Sequence, residues 1–396
     1  MLFDVQNTQN YAERLRIKRV RERRCEGVLD NAKQRKFRRC YMILRGRYMK
    51  ILLCSHEMSY TGAPRSLKLM AGVLKEAGYD VTVWSLREGS FKKEFEMEGF
   101  VVRTISFPEM VSDELAETIG QFSVVIANTI FCAAFAQYAG KYTKAILYVR
   151  EAQNLPQLIS DCNLNEIDLL NAEHIVCVSE YAKTFLEERY GIYNATVIHN
   201  FVEDVYAKKD CKYKNKKVVD FLVSGTLEPR KGQKIAVEAL NLLPKFERKK
   251  MRLHLVGPMP EWATEYQSEL CLNTENRLIY HGEIQEREIL LELYKSMDVI
   301  LIPSLDESCS LVALEAAMLG KAMLLTENVG AKYLVDCECI VKTKDSQNLS
   351  LKMLKCIKKP KLLREIGARN RQRYLELGTK EKYRESIERY LFHVLQ

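Results

Sequence analysis

Short apolar runs alternate with longer segments of helical periodicity along almost the whole chain from residue 50 onward. Residues 50–54 form the first apolar run, and a helical segment over residues 64–77 separates it from a second run over residues 81–85. This alternation is typical of βαβ units, in which parallel strands form a sheet with helices on both faces. The sequence therefore predicts an α/β fold with parallel sheets.

The alternation stops once, over residues 203–217, which are polar, rich in lysine and without periodicity. We interpret this segment as a linker and expect two doubly wound domains, at residues 49–201 and 202–396. Ligands of such sheets bind at the carboxyl ends of the strands, so a cleft between the domains is the expected site. Further strands are predicted near residues 101–105, 124–127, 145–149, 175–178, 218–224, 252–256, 278–281, 299–302, 323–325 and 340–341, and further helices near residues 285–296, 311–319 and 362–395.

The positive charge of the chain lies in its first 48 residues. The net charge is +9, and residues 1–48 contain 14 Lys and Arg against 5 Asp and Glu, which equals the whole excess. We interpret this extension either as a solvated helix or disordered arm, or as a contact with anionic lipid or a partner. The body from residue 49 is electrically balanced, so no nucleic-acid partner is expected.

Cysteine usage and hydropathy favour a cytoplasmic protein. The 12 cysteines are scattered without a Cys-x-x-Cys pair, which predicts reduced thiols. The N-terminus lacks the apolar core of a signal peptide. The uncharged stretch over residues 122–140 is interrupted by Asn128, Thr129 and Gln137, and it predicts a strand and a helix, not a membrane span. A peripheral contact at the inner membrane face would come from residues 1–48.

The segment after the predicted strand at residues 299–302 carries two glutamates. Ser308 or Ser310 can cap a helix that Gly320 ends. Glu315 is the only polar residue within residues 311–319, which predicts a helix that is buried all round. Its carboxylate then needs a partner, either a ligand hydroxyl pair or a backbone or basic group.

The start of this helix favours an anion, because its first N–H groups are free. Glu307 lies just before it and would repel a phosphate. We therefore expect Glu307 to accept hydrogen bonds from neutral hydroxyls.

The spacing of Glu307 and Glu315 resembles the E-x7-E motif of the family 4 retaining glycosyltransferases, and the flanking residues are similar on both sides. The resemblance covers residues 50–395. It implies the GT-B fold, with two Rossmann-like domains facing across a cleft and a C-terminal helix that crosses back to the first domain. In that arrangement residues 49–201 would form the acceptor-side domain and residues 202–396 the nucleotide-sugar-binding domain. The resemblance also implies transfer of a sugar, with retained configuration, from a nucleotide-diphosphate-sugar donor to a glycan or lipid-linked acceptor. The implied donor contacts here are Glu307, Ser308, Cys309, Ser310, Leu311 and Glu315.

A second segment, residues 224–233, resembles the strand, turn and Lys-Gly element of the same family. Arg230 and Lys231 precede a helix, where cations can reach a diphosphate. The resemblance implies that Lys231 contacts the donor phosphates; the alternative is a solvated basic pair. Thr226 stands where the family often has Arg, so one phosphate contact is either missing or moved to Arg230.

Three further features of the first half fit the same resemblance. The turn at Gly62 is similar to a small-residue turn that lets the substrates approach the backbone, with Pro64 suited to the first helical position. Arg150 stands where many relatives have a His that faces the donor sugar. Arg cannot act as a base at pH 7, so its role would be electrostatic. We interpret His199 as a structural residue near the crossing between domains.

The candidate catalytic residues are therefore Glu307, Lys231 and Arg150, with Glu307 not expected to be a nucleophile. No Asp-x-Asp follows a strand, so neither a metal nor another cofactor is expected, and Lys231 and the helix start would stabilise the departing diphosphate. A role in cell-surface polysaccharide synthesis is the implied setting. Two alternatives stay open: another GT-B enzyme such as a nucleotide-sugar epimerase, or a degenerate binding subunit, which Thr226 and Arg150 would favour.

Overall fold

A computed structural model describes residues 49–108, 110–206, 218–270 and 277–396 of the chain. Residues 1–48 and residues 207–217 of the predicted linker lie outside the described residues. The predictions made for the basic extension, and for most of the linker, therefore stay predictions.

The first half of the chain forms one parallel sheet of seven strands, in the order β3-β2-β1-β4-β5-β6-β7. Its central strands are buried on both faces, which explains why they are continuous apolar runs. Leu53 of β1, for example, is fully buried and lies opposite both Val83 and Ile126. The strands are β1 Lys50–Ser55, β2 Asp80–Ser85, β3 Val102–Thr104, β4 Val124–Asn128, β5 Lys144–Val149, β6 His174–Cys177 and β7 Thr196–Val197.

Helices connect these strands and cover both faces of the sheet. They are α1 Gly62–Glu76, α2 Lys92–Met97, α3 Asp113–Gly120, α4 Ala133–Ala139, α5 Leu155–Asp161, α6 Glu166–Leu170 and α7 Glu180–Tyr190. The uncharged stretch over residues 122–140 becomes β4, a short 3-10 turn and α4, as predicted. No helix among the described residues is long and apolar enough to cross a membrane.

The second half forms a parallel sheet of six strands, in the order β10-β9-β8-β11-β12-β13. The strands are β8 Val219–Ser224, β9 Met251–Val256, β10 Leu278–Tyr280, β11 Val299–Ile302, β12 Ala322–Thr326 and β13 Ile340–Val341. The helices are α8 Gln233–Leu242, α9 Lys245–Arg248, α10 Thr264–Leu270, α11 Arg287–Ser296, α12 Leu311–Met318, α13 Ser346–Lys358, α14 Pro360–Leu377 and α15 Lys380–Val394.

The strand order reverses once in each sheet, between β1 and β4 and between β8 and β11. Loops that leave neighbouring strands at such a reversal diverge and open a crevice, where ligands of doubly wound sheets bind. In the second sheet the loop after β8 carries Lys231, and the loop after β11 carries Glu307. The topology therefore brings the two predicted donor-binding segments together at one point of the fold.

The last helix, α15, lies against the first domain. Tyr383 stacks near Phe201 with ring centroids 4.8 Å apart, and Lys380 Nζ lies 2.5 Å from Glu76 Oε1 on α1. The single helix predicted over residues 362–395 is in fact two, because the Thr379 side chain accepts from the Lys382 amide and starts a new helix. The GT-B arrangement, including the helix that crosses back, is confirmed. The domain boundaries at residues 49–201 and 202–396 stay a prediction.

Candidate active site

The loop between β11 and α12 ends in a capped helix start. Ser310 is the cap, since its hydroxyl accepts from the Ala313 amide at 3.3 Å, and Gly320, with φ of +63°, follows the end of the helix. Ser308, the other predicted cap, donates its hydroxyl instead to the carbonyl oxygen of Arg150 in the first domain. Cys309 between them is buried, and burial raises the pKa of its thiol to about 11.

Helix α12 is not buried all round, so that prediction was wrong. Leu311, Val312 and Glu315 are half-buried and share one face, because residues three and four apart are neighbours on a helix. Glu315 has a basic partner, the Nε of Arg287 at the start of α11, at 3.5 Å from Oε1. Burial raises the pKa of Glu315, and Arg287 offsets part of that effect. Of the two kinds of partner that the sequence left open for Glu315, the basic group is therefore present, on a half-buried face of the helix.

Glu307 lies between two cations. Its Oε2 forms a direct ion pair with Lys231 Nζ and lies 3.5 Å from Arg230 Nη1. Burial by itself would raise the pKa of this carboxyl, but Lys231 and Arg230 outweigh it and hold the pKa below its ordinary value. The protein groups nearest the Glu307 carboxylate are therefore charged. Neutral hydroxyls for it to accept from would have to come from a bound ligand, so that expectation stays a prediction.

The two loops can meet because Gly232 has no side chain. A Cβ on Gly232 would lie 2.0 Å from the carbonyl oxygen of Pro303, and the residue has φ of +69°. Both observations favour glycine after the 3-10 turn Pro229–Lys231. Arg230 is further fixed by Glu228, with Nη2 and Oε1 at 2.6 Å. The Lys-Gly element thus brings its two cations to the carboxylate of the other loop.

Arg150 is held by its own domain. Its Nε donates to Asn128 Oδ1 at 2.5 Å, its Nη1 donates to Asn200 Oδ1 at 2.9 Å, and the guanidinium lies 4.6 Å from the ring centroid of Tyr148. Its Nη2 is buried and has no hydrogen-bond partner among the described residues. The structure therefore places Arg150 at the domain contact, beside Ser308, but pairs its side chain with amides and not with Glu307.

The turn at Gly62 is at the start of α1. Gly62 is the first residue of the helix and Pro64 is the third. The prediction that Pro64 occupies the first helical position was therefore wrong. No heavy atom lies within 4 Å of the point where a Cβ on Gly62 would be. Asn128 at the end of β4 donates to the carbonyl oxygen of Ala63 at 3.2 Å, which ties this open turn to the same strand ends as Arg150.

Several residues of the site could not be found from the sequence. Asp306 accepts three hydrogen bonds from the first domain, although it stands next to Glu307 in the motif. Arg287 pairs with Glu315 from a different helix, and no sequence motif gives the spacing between the two residues. Glu151 is 8% exposed, and burial raises the pKa of its carboxyl to about 7, a value that no motif encodes.

His199 lies at the crossing between the domains. Its ring stacks on Tyr333 of the second domain with centroids 4.0 Å apart, and its Nδ1 lies 3.3 Å from the carbonyl oxygen of Val178. Burial lowers the pKa of His199. These packing contacts are of the kind that a structural residue makes.

In the described part of the chain, no three His, Cys, Asp or Glu side chains lie close enough together to hold a metal ion. The eight cysteines described there are all free thiols: Cys54, Cys132, Cys162, Cys177, Cys309, Cys337, Cys339 and Cys356.

Comparisons with known proteins agree with this geometry. Residues 47–199 match the family model described as glycosyl-transferase family 4, and residues 206–373 match the model described as glycosyl transferases group 1. No curated protein sequence matches the chain. The two models meet near the crossing between the two sheets, so each covers one domain.

Solved structures share the fold. HepE of Anabaena, crystallised with UDP-glucose, is 21% identical with a TM-score of 0.73, over 87% of this chain and 100% of that one. A glycosyltransferase from Rickettsia africae is 19% identical with a TM-score of 0.73, over 88% and 99%. The lipopolysaccharide outer core galactosyltransferase WaaB is 14% identical with a TM-score of 0.68, over 87% and 99%. Together with the matched family models, these structures lead to one conclusion: the chain belongs to the family 4 glycosyltransferases of the GT-B fold.

Proposed function

We propose that this glycosyltransferase moves a sugar from a nucleotide-diphosphate donor to a glycan or lipid-linked acceptor, with retention of anomeric configuration. The observation that carries the proposal is the junction of Lys231, Arg230 and Glu307 at the start of α12. This junction provides cations for a diphosphate and a carboxylate for sugar hydroxyls within one ion-paired group.

The cations and the helix start would serve the leaving group. When the glycosidic bond to the diphosphate breaks, negative charge develops on the phosphate oxygens, and fixed cations and helix N–H groups stabilise such charge. Lys231 and Arg230 would supply the cations, and α12 would supply the free N–H groups. This arrangement makes a bridging metal unnecessary, which is why we propose a reaction that needs neither metal nor cofactor.

Glu307 would orient the sugar. Because Lys231 and Arg230 keep its pKa low, it is ionised at neutral pH and accepts hydrogen bonds from hydroxyls instead of donating a proton. Glu315, half-buried on the open stripe of α12, would accept from the ribose hydroxyls of the donor. We propose no nucleophilic role for either carboxylate.

Two of the structural neighbours suggest the first substrates to try. HepE was crystallised with UDP-glucose, and WaaB acts on the lipopolysaccharide outer core. For this chain we propose a UDP-sugar donor and an acceptor from cell-surface polysaccharide synthesis. We further propose a cytoplasmic protein whose basic residues 1–48 contact anionic membranes. Binding to vesicles with and without phosphatidylserine, compared for the full chain and a chain lacking residues 1–48, tests that contact.

One experiment separates the transferase from its alternatives. Release of nucleotide diphosphate is measured over UDP-glucose, UDP-galactose, UDP-N-acetylglucosamine, GDP-mannose and ADP-glucose, with and without a mixture of glycan and lipid-linked acceptors. A transferase releases nucleotide faster with acceptor, and NMR of the product shows the anomeric configuration of the donor. An epimerase isomerises or frees the sugar without acceptor. A binding subunit binds nucleotide but releases none, and either of these last two results contradicts the proposal.

A further inference from the structure

We propose that Asp306 is a positioning residue that holds the first domain in register with the donor-binding loop of the second. The proposal rests on the proposed function only for the role of its neighbour Glu307. The contacts themselves are independent of the reaction.

The carboxylate of Asp306 is directed entirely at the other domain. Its Oδ1 accepts from the Gln153 amide at 3.3 Å and from the Tyr181 hydroxyl at 2.9 Å, and its Oδ2 accepts from the Asn154 amide at 2.9 Å. The residue is only 8% exposed. A buried carboxylate needs donors, and here the first domain provides them.

Ser308, on the other side of Glu307, makes a matching set of contacts. Its hydroxyl donates to the carbonyl oxygen of Arg150, and its own carbonyl oxygen accepts from the Ser179 hydroxyl at 2.6 Å. The residues before and after Glu307 are therefore both hydrogen-bonded to the first domain. Ser308 places Arg150, the candidate catalytic residue of the first domain, directly beside the loop.

Glu307 itself is held by the second domain. Its amide donates to the carbonyl oxygen of Asn328 at 3.0 Å, and its carbonyl oxygen accepts from the Gly330 amide at 2.7 Å. The loop would therefore keep its place in the second domain if the domains separated. The hydrogen bonds of Asp306 therefore fix the position of the first domain relative to Glu307.

The chemistry of this contact allows it to form and break. Separation of the domains would expose Asp306 to water, which replaces the lost donors, so the net stability of the contact is modest. Two amides and a hydroxyl that converge on one carboxylate also define a direction, because hydrogen bonds weaken steeply when misaligned. Asp306 can therefore set the alignment of the two domains without locking them together.

The prediction is a split between nucleotide binding and transfer. Asp306→Asn keeps the size and loses the charge, Asp306→Ala loses every acceptor, and Tyr181→Phe removes one hydroxyl from the other side. We expect kcat to fall in the order Tyr181→Phe, Asp306→Asn, Asp306→Ala, by about tenfold to a hundredfold for the last. Affinity for the free nucleotide diphosphate should stay within about twofold, since the second domain binds it. Tyr181→Phe should have no further effect in the Asp306→Ala background.

The matched control is Asp336→Asn, which breaks ion pairs with Arg369 and Arg373. Small-angle X-ray scattering of each full-length variant, with and without UDP, gives a readout that needs no turnover. We expect Asp306→Ala to have a larger radius of gyration than wild type. Asp336→Asn should have the same radius of gyration as wild type.

Wild-type kcat together with wild-type scattering in Asp306→Ala overturns the proposal. Nucleotide affinity that falls as much as kcat also overturns it, because Asp306 would then act in donor binding. If Asp306→Ala does not fold, Tyr181→Phe and Asp306→Asn test the proposal. Smaller losses of kcat with unchanged nucleotide affinity support it, and wild-type kcat in both variants overturns it. If wild type turns over no donor, the proposed function fails. The scattering of Asp306→Ala and wild type still tests whether Asp306 positions the two domains.

Discussion

Lys231 and Glu307, 76 positions apart in the chain, form a direct ion pair where the loops after β8 and β11 meet. The reversal of strand order between β8 and β11 brings these loops together, and the absence of a side chain at Gly232 lets them touch. The pair keeps a half-buried carboxylate ionised, because Lys231 and Arg230 hold its pKa below the ordinary value. A cation for phosphate and an anion for hydroxyls therefore stand side by side, as the proposed donor requires.

Replacing Lys231 should weaken donor binding. Lys231→Ala removes a charge-assisted phosphate contact of about 1.5–3 kcal/mol, which is roughly tenfold to a hundredfold in affinity or rate. Without its main cation, the pKa of Glu307 should also rise. Calorimetric titration with the donor identified from the panel checks the affinity.

Lys234→Ala is the matched control, because Lys234 is exposed and its ion-pair partner is Glu269 on α10 and not Glu307. We expect near-wild-type donor affinity in this variant. If the two variants have the same donor affinity, Lys231 does not contact the donor. It is then part of a solvated basic pair, which is the alternative that the sequence left open.

Glu315→Gln should reduce donor affinity without unfolding the protein. The change keeps the shape but removes the charge. Among the described residues Arg287, at 3.5 Å, is the ion-pair partner of this half-buried side chain, and Arg65 acts on it at longer range. We expect a near-normal melting temperature, and a larger loss for the ribonucleotide donor than for its 2′,3′-dideoxy analogue.

A much lower melting temperature with unchanged binding of both donors would make Glu315 a structural partner of Arg287. Arg287→Gln separates the two roles, since it removes the ion pair but keeps the carboxylate.

Glu151 should make the protein less stable as the pH rises. Burial raises its pKa from the ordinary 4.5 to about 7. Between those values the folded protein holds a proton that the unfolded chain has lost, so the free energy of unfolding falls with increasing pH. Glu151→Gln should remove this negative contribution, so the slope of unfolding free energy against pH becomes more positive. Glu315, whose pKa is also raised, contributes with the same sign as Glu151. The histidines whose pKa values are lowered contribute with the opposite sign: His56, His174, His199 and His281.

Denaturant unfolding at pH 4.5 to 8 measures the slope. Glu307 affects stability in a different pH range, because its pKa is lowered in the folded protein. The stability that it contributes is lost only as the pH falls below 4.5, the ordinary pKa of a glutamate. An identical slope in wild type and Glu151→Gln would mean that Glu151 titrates normally.

Periodicity predicted the fold well because parallel strands buried on both faces must be apolar runs, as residues 50–54 are. The E-x7-E spacing and the Lys-Gly element pointed to Glu307 and Lys231, and the structure brings these two side chains into contact. Their roles stay predictions. The sequence did not predict contacts between the domains, such as those of Asp306, because no local pattern reports which loops face each other. It also placed Glu315 in a helix buried all round, because apolar residues that line a cleft cannot be distinguished from core residues by periodicity.

Activity should not depend on a metal ion. Lys231, Arg230 and the start of α12 supply the positive charge that a diphosphate needs, so turnover in excess EDTA should stay near turnover in magnesium. Complete loss of activity in EDTA, with recovery on adding magnesium, would contradict this prediction.

Donor turnover by wild type and by Glu307→Gln, measured side by side, tests the central claim most directly. We predict that wild type releases nucleotide diphosphate from at least one donor of the panel when acceptor is present. Glu307→Gln, folded and with its loop still held by Asn328 and Gly330, should turn over that donor about a hundredfold more slowly. Equal rates in the two proteins, or no release by wild type from any donor, would contradict the assignment of this ion-paired junction as the active site.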